Sequence, residues 1–144
     1  MAQFIIEGLD ELEKAIREIG NVPDEVLSSA LTEIATAAAS RIRETGDSMG
    51  VRDAENGEHI LDRIKVGRAK MTTGGGRVDV TFAGSRVRGS TTTRNAEIAF
   101  VNEYGSRKQQ ARPFIGTAMS RNEAQIVEAG AKIIEDWIEK TFSE

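Results

Sequence analysis

The stretch "IAFVNEYGSRKQQARPFIGTA", Ile98 to Ala118, decides how this chain is to be read. It opens as an apolar run, breaks at Glu103-Tyr104-Gly105, turns polar and basic, and restarts at Pro113-Phe114. The short apolar run, read with the residues before it as "AEIAFVNEYG", predicts a strand that ends at Gly105. A glycine there can take backbone angles that release the chain from a sheet. Pro113 carries a fixed φ and suits the first turn of a helix. The chain has five Phe and one Tyr, so placing Tyr104 and Phe114 on either side of this hinge predicts that the two pack where sheet and helix meet.

Downstream of the hinge, Ile126, Val127, Gly130, Ile133, Ile134, Trp137, Ile138 and Thr141 recur at three- and four-residue spacing. This predicts a long amphipathic helix, bent near Ser120 or at Gly130. Upstream, "QFIIEG" reads as a short strand, and "LDELEKAIREIG" as a helix with Leu9, Leu12, Ile16 and Ile19 on one face. A second helix follows in "NVPDEVLSSALTEIATAAASRIRETG", with Pro23 at its start and acids at the positive end of its dipole. Its apolar face runs through Val26, Leu27, Ala30, Leu31, Ile34, Ala37, Ala38 and Ile42. "HILDRIKVGRAK" and "RVDVTFAG" alternate as strands on either side of the turn "TTGGGR", which predicts an antiparallel hairpin.

The expectation is therefore a single α+β domain over residues 1–144, with two N-terminal helices, an antiparallel sheet of three to four strands and a C-terminal helix. Mobile loops are expected at 46–58, 85–95 and 105–112, where Gly and polar residues interrupt the periodicity.

Composition narrows the function. Hydrophobic residues make up 39% of the chain and charged residues 29%, while aromatics are only 5%, so aliphatic side chains must form most of the core. There is no Cys, which excludes disulfides and thiolate zinc sites, and the one His, His59, cannot anchor a metal alone. No cofactor is expected. No apolar run reaches the roughly 18 residues of a membrane span, and the N-terminus lacks the basic and apolar pattern of a signal peptide.

The net charge of −4 conceals a segregation of sign. Between Arg63 and Arg112 stand eleven Lys or Arg against three acids, an excess of eight positive charges inside a chain that is otherwise acidic. Among these cations Arg68, Lys70, Arg86, Arg88, Arg94, Arg107 and Lys108 are candidates to touch a phosphate backbone or an acidic neighbouring subunit. Phe82 and Phe100 fall in predicted strand cores, so the stacking platform of a single-strand binder is missing. "TTGGGR" lacks the spaced Gly-Lys-Ser/Thr of a phosphate-cradling loop, and no nucleophile, base and orienter assemble from any motif. Catalysis is not expected.

With Glu103-Tyr104-Gly105, a polar loop, Ala111-Arg112-Pro113-Phe114 and a long C-terminal helix in sequence, the hinge resembles that of a family of minor structural proteins of long-tailed bacteriophages, described as tail-component, tail-completion or head-tail joining proteins. The opening "IEGLDELEKAIREIG" is similar to the family's N-terminal helix, and the order of the elements between agrees. One departure is Gly57-Glu58-His59-Ile60-Leu61, where relatives often carry a Thr-Gly-Leu-Arg type of lead into the sheet. The resemblance implies a non-enzymatic virion part of the neck or tail, present in the host cytoplasm during assembly. Its partners would be copies of itself in a ring around the DNA path and neighbouring neck or tail proteins, with the basic loops touching either packaged DNA or an adjacent copy. The family motif residues would be Glu103, Tyr104, Gly105, Arg112, Pro113 and Phe114. The alternative is a stand-alone nucleic-acid-binding or regulatory module using the basic middle.

Overall fold

Pro23 ends its extended stretch with a carbonyl that accepts the N–H groups of Val26 and Leu27, and from there the chain turns into α1, Asp24–Ser48. The structure, a computed structural model, describes residues 22–51, 59–72, 75–88 and 90–142; the strand and helix expected before residue 22 lie outside the described residues. Asp24 and Glu25 occupy the first turn of α1, where the helix dipole favours negative charge. Of the apolar face expected from the periodicity, Leu27, Ala30, Leu31, Ile34, Ala38 and Ile42 are buried and Val26 and Ala37 half-buried, and Ala35 and Ala39 join the buried set. Gly46, the expected start of a loop, sits inside the helix and packs so closely that a Cβ there would meet the Leu61 side chain at 2.7 Å. The helix ends at Met49 and Gly50, the latter at φ 75°, so the loop expected from residue 46 begins three residues later.

The basic middle forms three antiparallel two-stranded pairs. After a 3-10 turn at Ile60–Arg63, where His59 Nδ1 accepts the Leu61 N–H, come β1 (Ile64–Val66), β2 (Lys70–Thr72), β3 (Gly75–Arg77) and β4 (Val80–Phe82). β1 pairs with β4 and β2 with β3, so the expected hairpin exists. It is interrupted midway: Gly67, Arg68 and Ala69 face only Val78 and Asp79, so the outgoing strand carries one extra residue, as in a bulge. Side chains must alternate along a strand. On the return strand Val78, Val80 and Phe82 keep strict alternation toward the core. On the outgoing strand the extra residue shifts the phase, so that Ile64, Val66, Ala69 and Met71 all pack against the same cluster.

The polar stretch expected as a mobile loop at 85–95 is a second hairpin, β5 (Ser85–Arg88) and β6 (Thr91–Arg94). Thr91, Thr92 and Thr93 are β-branched and suit the pleated ribbon. The strand expected from "AEIAFVNEYG" is instead a helix, α2, Asn95–Tyr104. A short apolar run cannot separate strand from helix by periodicity alone. Here Ala96, Ala99, Asn102 and Glu103 share the buried face at three- and four-residue spacing. Phe100, expected in a strand core, lies on the outer face of α2, 47% exposed.

α3, Phe114–Phe142, runs as one continuous helix through Ser120 and Gly130. It runs antiparallel to α1. Phe114, Ile115 and Ala118 share a cluster with Ile42; Ile126 packs with Leu31, Ile34, Ala35 and Ala38; Ile134 packs with Leu27 and Ala30. Gly130 is the point of closest approach: a Cβ there would collide with Ile34 Cδ1 and lie 2.9 Å from the Ala30 carbonyl oxygen, which is backbone and cannot give way. The architecture is mixed α+β, three helices with small antiparallel pairs among the described residues.

Candidate functional site

Gly105 closes α2 at φ 79°, its N–H donating to the Val101 carbonyl at 2.7 Å. A Cβ at this position would meet Ala111 N at 2.9 Å and Gln109 O at 3.1 Å, so both the left-handed turn and the returning loop require glycine. The loop expected to be free at 105–112 is tied back on itself. Ser106 N–H donates to Gln109 O, Gln109 Nε2 donates to Asn102 Oδ1, and Arg112 N–H donates to the Asn102 carbonyl. Arg112 Nη1 also reaches the Gly50 carbonyl at 3.0 Å, which fixes the loop to the end of α1.

The first N–H groups of a helix have no partner within it, and Pro113, directly before α3, has no side chain that could accept from them. Glu103 supplies the acceptors from the end of α2. Its Oε2 accepts the Ile115 N–H at 2.8 Å, and its Oε1 accepts the Gly116 N–H at 2.9 Å. The carboxylate is 8% exposed and sits at the positive end of the α3 dipole. Glu103, Gly105, Arg112, Pro113 and Phe114 are thus brought together as a junction that aims α3 relative to α2. Phe114 is fully buried and packs edge-to-face on Phe82, with ring centroids 6.0 Å apart.

Tyr104 departs from expectation. It does not pack with Phe114 but lies outside, 63% exposed, its ring tilted 48° against that of Phe100 with centroids 4.7 Å apart. One turn of α2 separates the pair, so they meet as i,i+4 neighbours.

The candidate contact cations do not form one set. Arg68, Lys70, Arg94, Arg107 and Lys108 are exposed, and none forms an ion pair with another described residue. Arg88 ends β5, and its side chain lies outside the described set. Arg86 is a correction: at 7% exposure it cannot present its charge to a phosphate backbone. The pairing register explains why. Arg86 faces Thr93 on the inner side of the ribbon, whereas Val87 faces Thr92 on the outer side. Arg86 Nε donates to Asn95 Oδ1 at 3.1 Å, and Asn95 Nδ2 donates to the Ala83 carbonyl at 2.8 Å. A charge reversal at Arg86 therefore tests folding, not contact.

Asn95, Asn102 and Gln109 were not singled out by the sequence, since an isolated amide carries no spacing signal; only the fold shows that each links two elements. Among the described residues no group of His, Asp and Glu side chains could hold a metal ion. No helix among them is long and apolar enough to cross a membrane. No family model matches the chain, nor does any curated protein or solved structure.

Proposed function

We propose that this chain is a non-enzymatic structural protein of the neck or tail of a long-tailed bacteriophage or prophage particle, assembling as a ring around the DNA path. The observation that carries the reading is the junction from Glu103 to Phe114. The residues of the phage-like motif other than Tyr104 are spent on orienting one helix against another, through the Glu103 contacts to Ile115 and Gly116 and the Arg112 contact to Gly50. A motif used to set the direction of a helix suits a part whose task is to fit against neighbours. Tyr104, the remaining motif residue, faces outward, where a neighbour could meet it.

Negative-stain images and particle mass of the purified chain test this reading. Closed rings of uniform diameter are expected, and a strict monomer at every concentration would remove the self-assembling form of the proposal. Portal, capsid and tail-tube reading frames beside its gene are the expected genomic context.

The five exposed cations without ion pairs among the described residues favour a second reading, a stand-alone duplex-binding module. If all five contacted phosphates, log K would fall against log salt with a slope of about −4.5. We expect the chain to leave duplex free at physiological salt, because its net charge is −4. Fluorescence anisotropy of labelled duplex decides this: a slope near that value with no sequence preference would favour the second reading.

A further inference from the structure

We propose that copies of this chain join head to tail, with Phe100, Tyr104, Arg107 and Lys108 of one copy docking on the acidic end of the α1–α3 helix pair of the next. The inference rests on the assembly reading and adds to it the two surfaces that meet. The first is anomalous for a solvent face. α2 is inverted, with Asn102 and Glu103 buried and Phe100 and Tyr104 in contact outside. Immediately after it the loop presents Arg107 and Lys108, both exposed and without ion pairs among the described residues. The exposed charges carried by α2 and this loop are Arg107, Lys108 and Arg112 against Glu97 alone. Paired exposed aromatics suit the centre of an interface, and cations next to them in the chain suit its polar rim.

The complementary surface lies at the far end. Because α1 and α3 are antiparallel, the start of α1 meets the last half of α3. Asp24, Glu25, Glu128, Glu135, Asp136 and Glu139 are exposed there, against Lys132 and Lys140 on α3 and Lys70 on the nearby hairpin. Half-buried Ile133, Trp137 and Ile138 supply apolar surface among these acids. The junction, by contrast, is fastened to the other end of α1 through Arg112 and Gly50. The 25 residues of α1 hold the two ends about 37 Å apart, so one molecule cannot satisfy both with itself. Joining unlike patches between copies is a heterologous contact, which closes into a ring when the rotation permits.

A charge-swap experiment tests the pairing. One variant carries Arg107→Glu with Lys108→Glu, and the other Glu135→Lys with Asp136→Lys, both on exposed positions and both checked for native circular dichroism. Each alone sets like charges against each other, so self-association measured by sedimentation should weaken at least about tenfold. An equimolar mixture should recover assembly, because each reversed patch then meets a reversed partner. Tyr104→Ala should weaken association with an unchanged melting temperature. Variants that assemble like wild type, or a mixture that stays dissociated, would overturn this contact while leaving the assembly reading standing. A wild-type chain that never associates removes both. If the Arg107/Lys108 variant loses only duplex binding at unchanged particle mass, the surface belongs to nucleic acid and the proposal fails.

Discussion

Phe114→Ala is expected to destabilise the protein by about 4 kcal/mol and to lower its melting temperature by roughly 10 °C. Phe114 is fully buried, its ring set edge-on to Phe82 in a cluster that also holds Ile42, Leu61, Ala99 and Ala118. Those residues come from α1, the 3-10 turn, α2 and α3, so a single ring fills the space where four elements converge. Truncation removes the transfer free energy of the ring and leaves a cavity that such a crossing cannot easily collapse. Phe114→Leu, which keeps most of the volume, should cost about 1 kcal/mol. Urea unfolding followed by circular dichroism measures both; an alanine variant within about 1 kcal/mol of wild type would show that the site relaxes and that the cluster is not a keystone.

The second large effect is expected at Glu103. Glu103→Ala strips both acceptors from the start of α3 and leaves the Ile115 N–H, which is buried, without a partner. The loss combines a missing charge-assisted cap with an unsatisfied donor, about 2 to 3 kcal/mol. Glu103→Gln retains one carbonyl acceptor and should fall between alanine and wild type. The order wild type, Gln, Ala in urea midpoint is the signature of a cap; equal losses for Gln and Ala would assign the effect to the negative charge alone.

The long helices were legible because their burial is periodic and aliphatic. Leu27, Leu31, Ile34 and Ile42 on α1, and Ile126, Gly130 and Ile134 on α3, occupy the faces their spacing predicts. The hairpin from Ile64 to Phe82 was legible for the same reason at period two, although not its bulge, which leaves no trace in composition. α2 was not legible. Its inner face carries Asn102 and Glu103 and its outer face Phe100 and Tyr104, so the polarity that normally marks a helix is reversed. The junction residues stood out as a motif, but their roles did not: nothing about Glu103 in the sequence shows that its carboxylate reaches forward across the loop to Ile115 and Gly116. Arg86 was misplaced because a polar hairpin has an inner side, and only pairing tells which residues occupy it.

The extra residue in the long hairpin has a bearing on which insertions and deletions this chain can absorb. Between Val66 and Lys70 the outgoing strand spends three residues against two on the return strand, and the bulge absorbs the extra one so that Met71 faces α1 in company with Val66. Loss of one residue from Gly67–Ala69 would restore regular alternation and leave Met71 four positions from Val66, still on the face toward α1, with Lys70 toward water. Loss of two residues there would put Met71 three positions from Val66 and turn it toward water, with Lys70 toward the helix. Length variation in this part of the molecule is therefore governed by parity, not by proximity to the surface: beside the exposed Arg68 one residue can be lost without disturbing the core, and a second cannot.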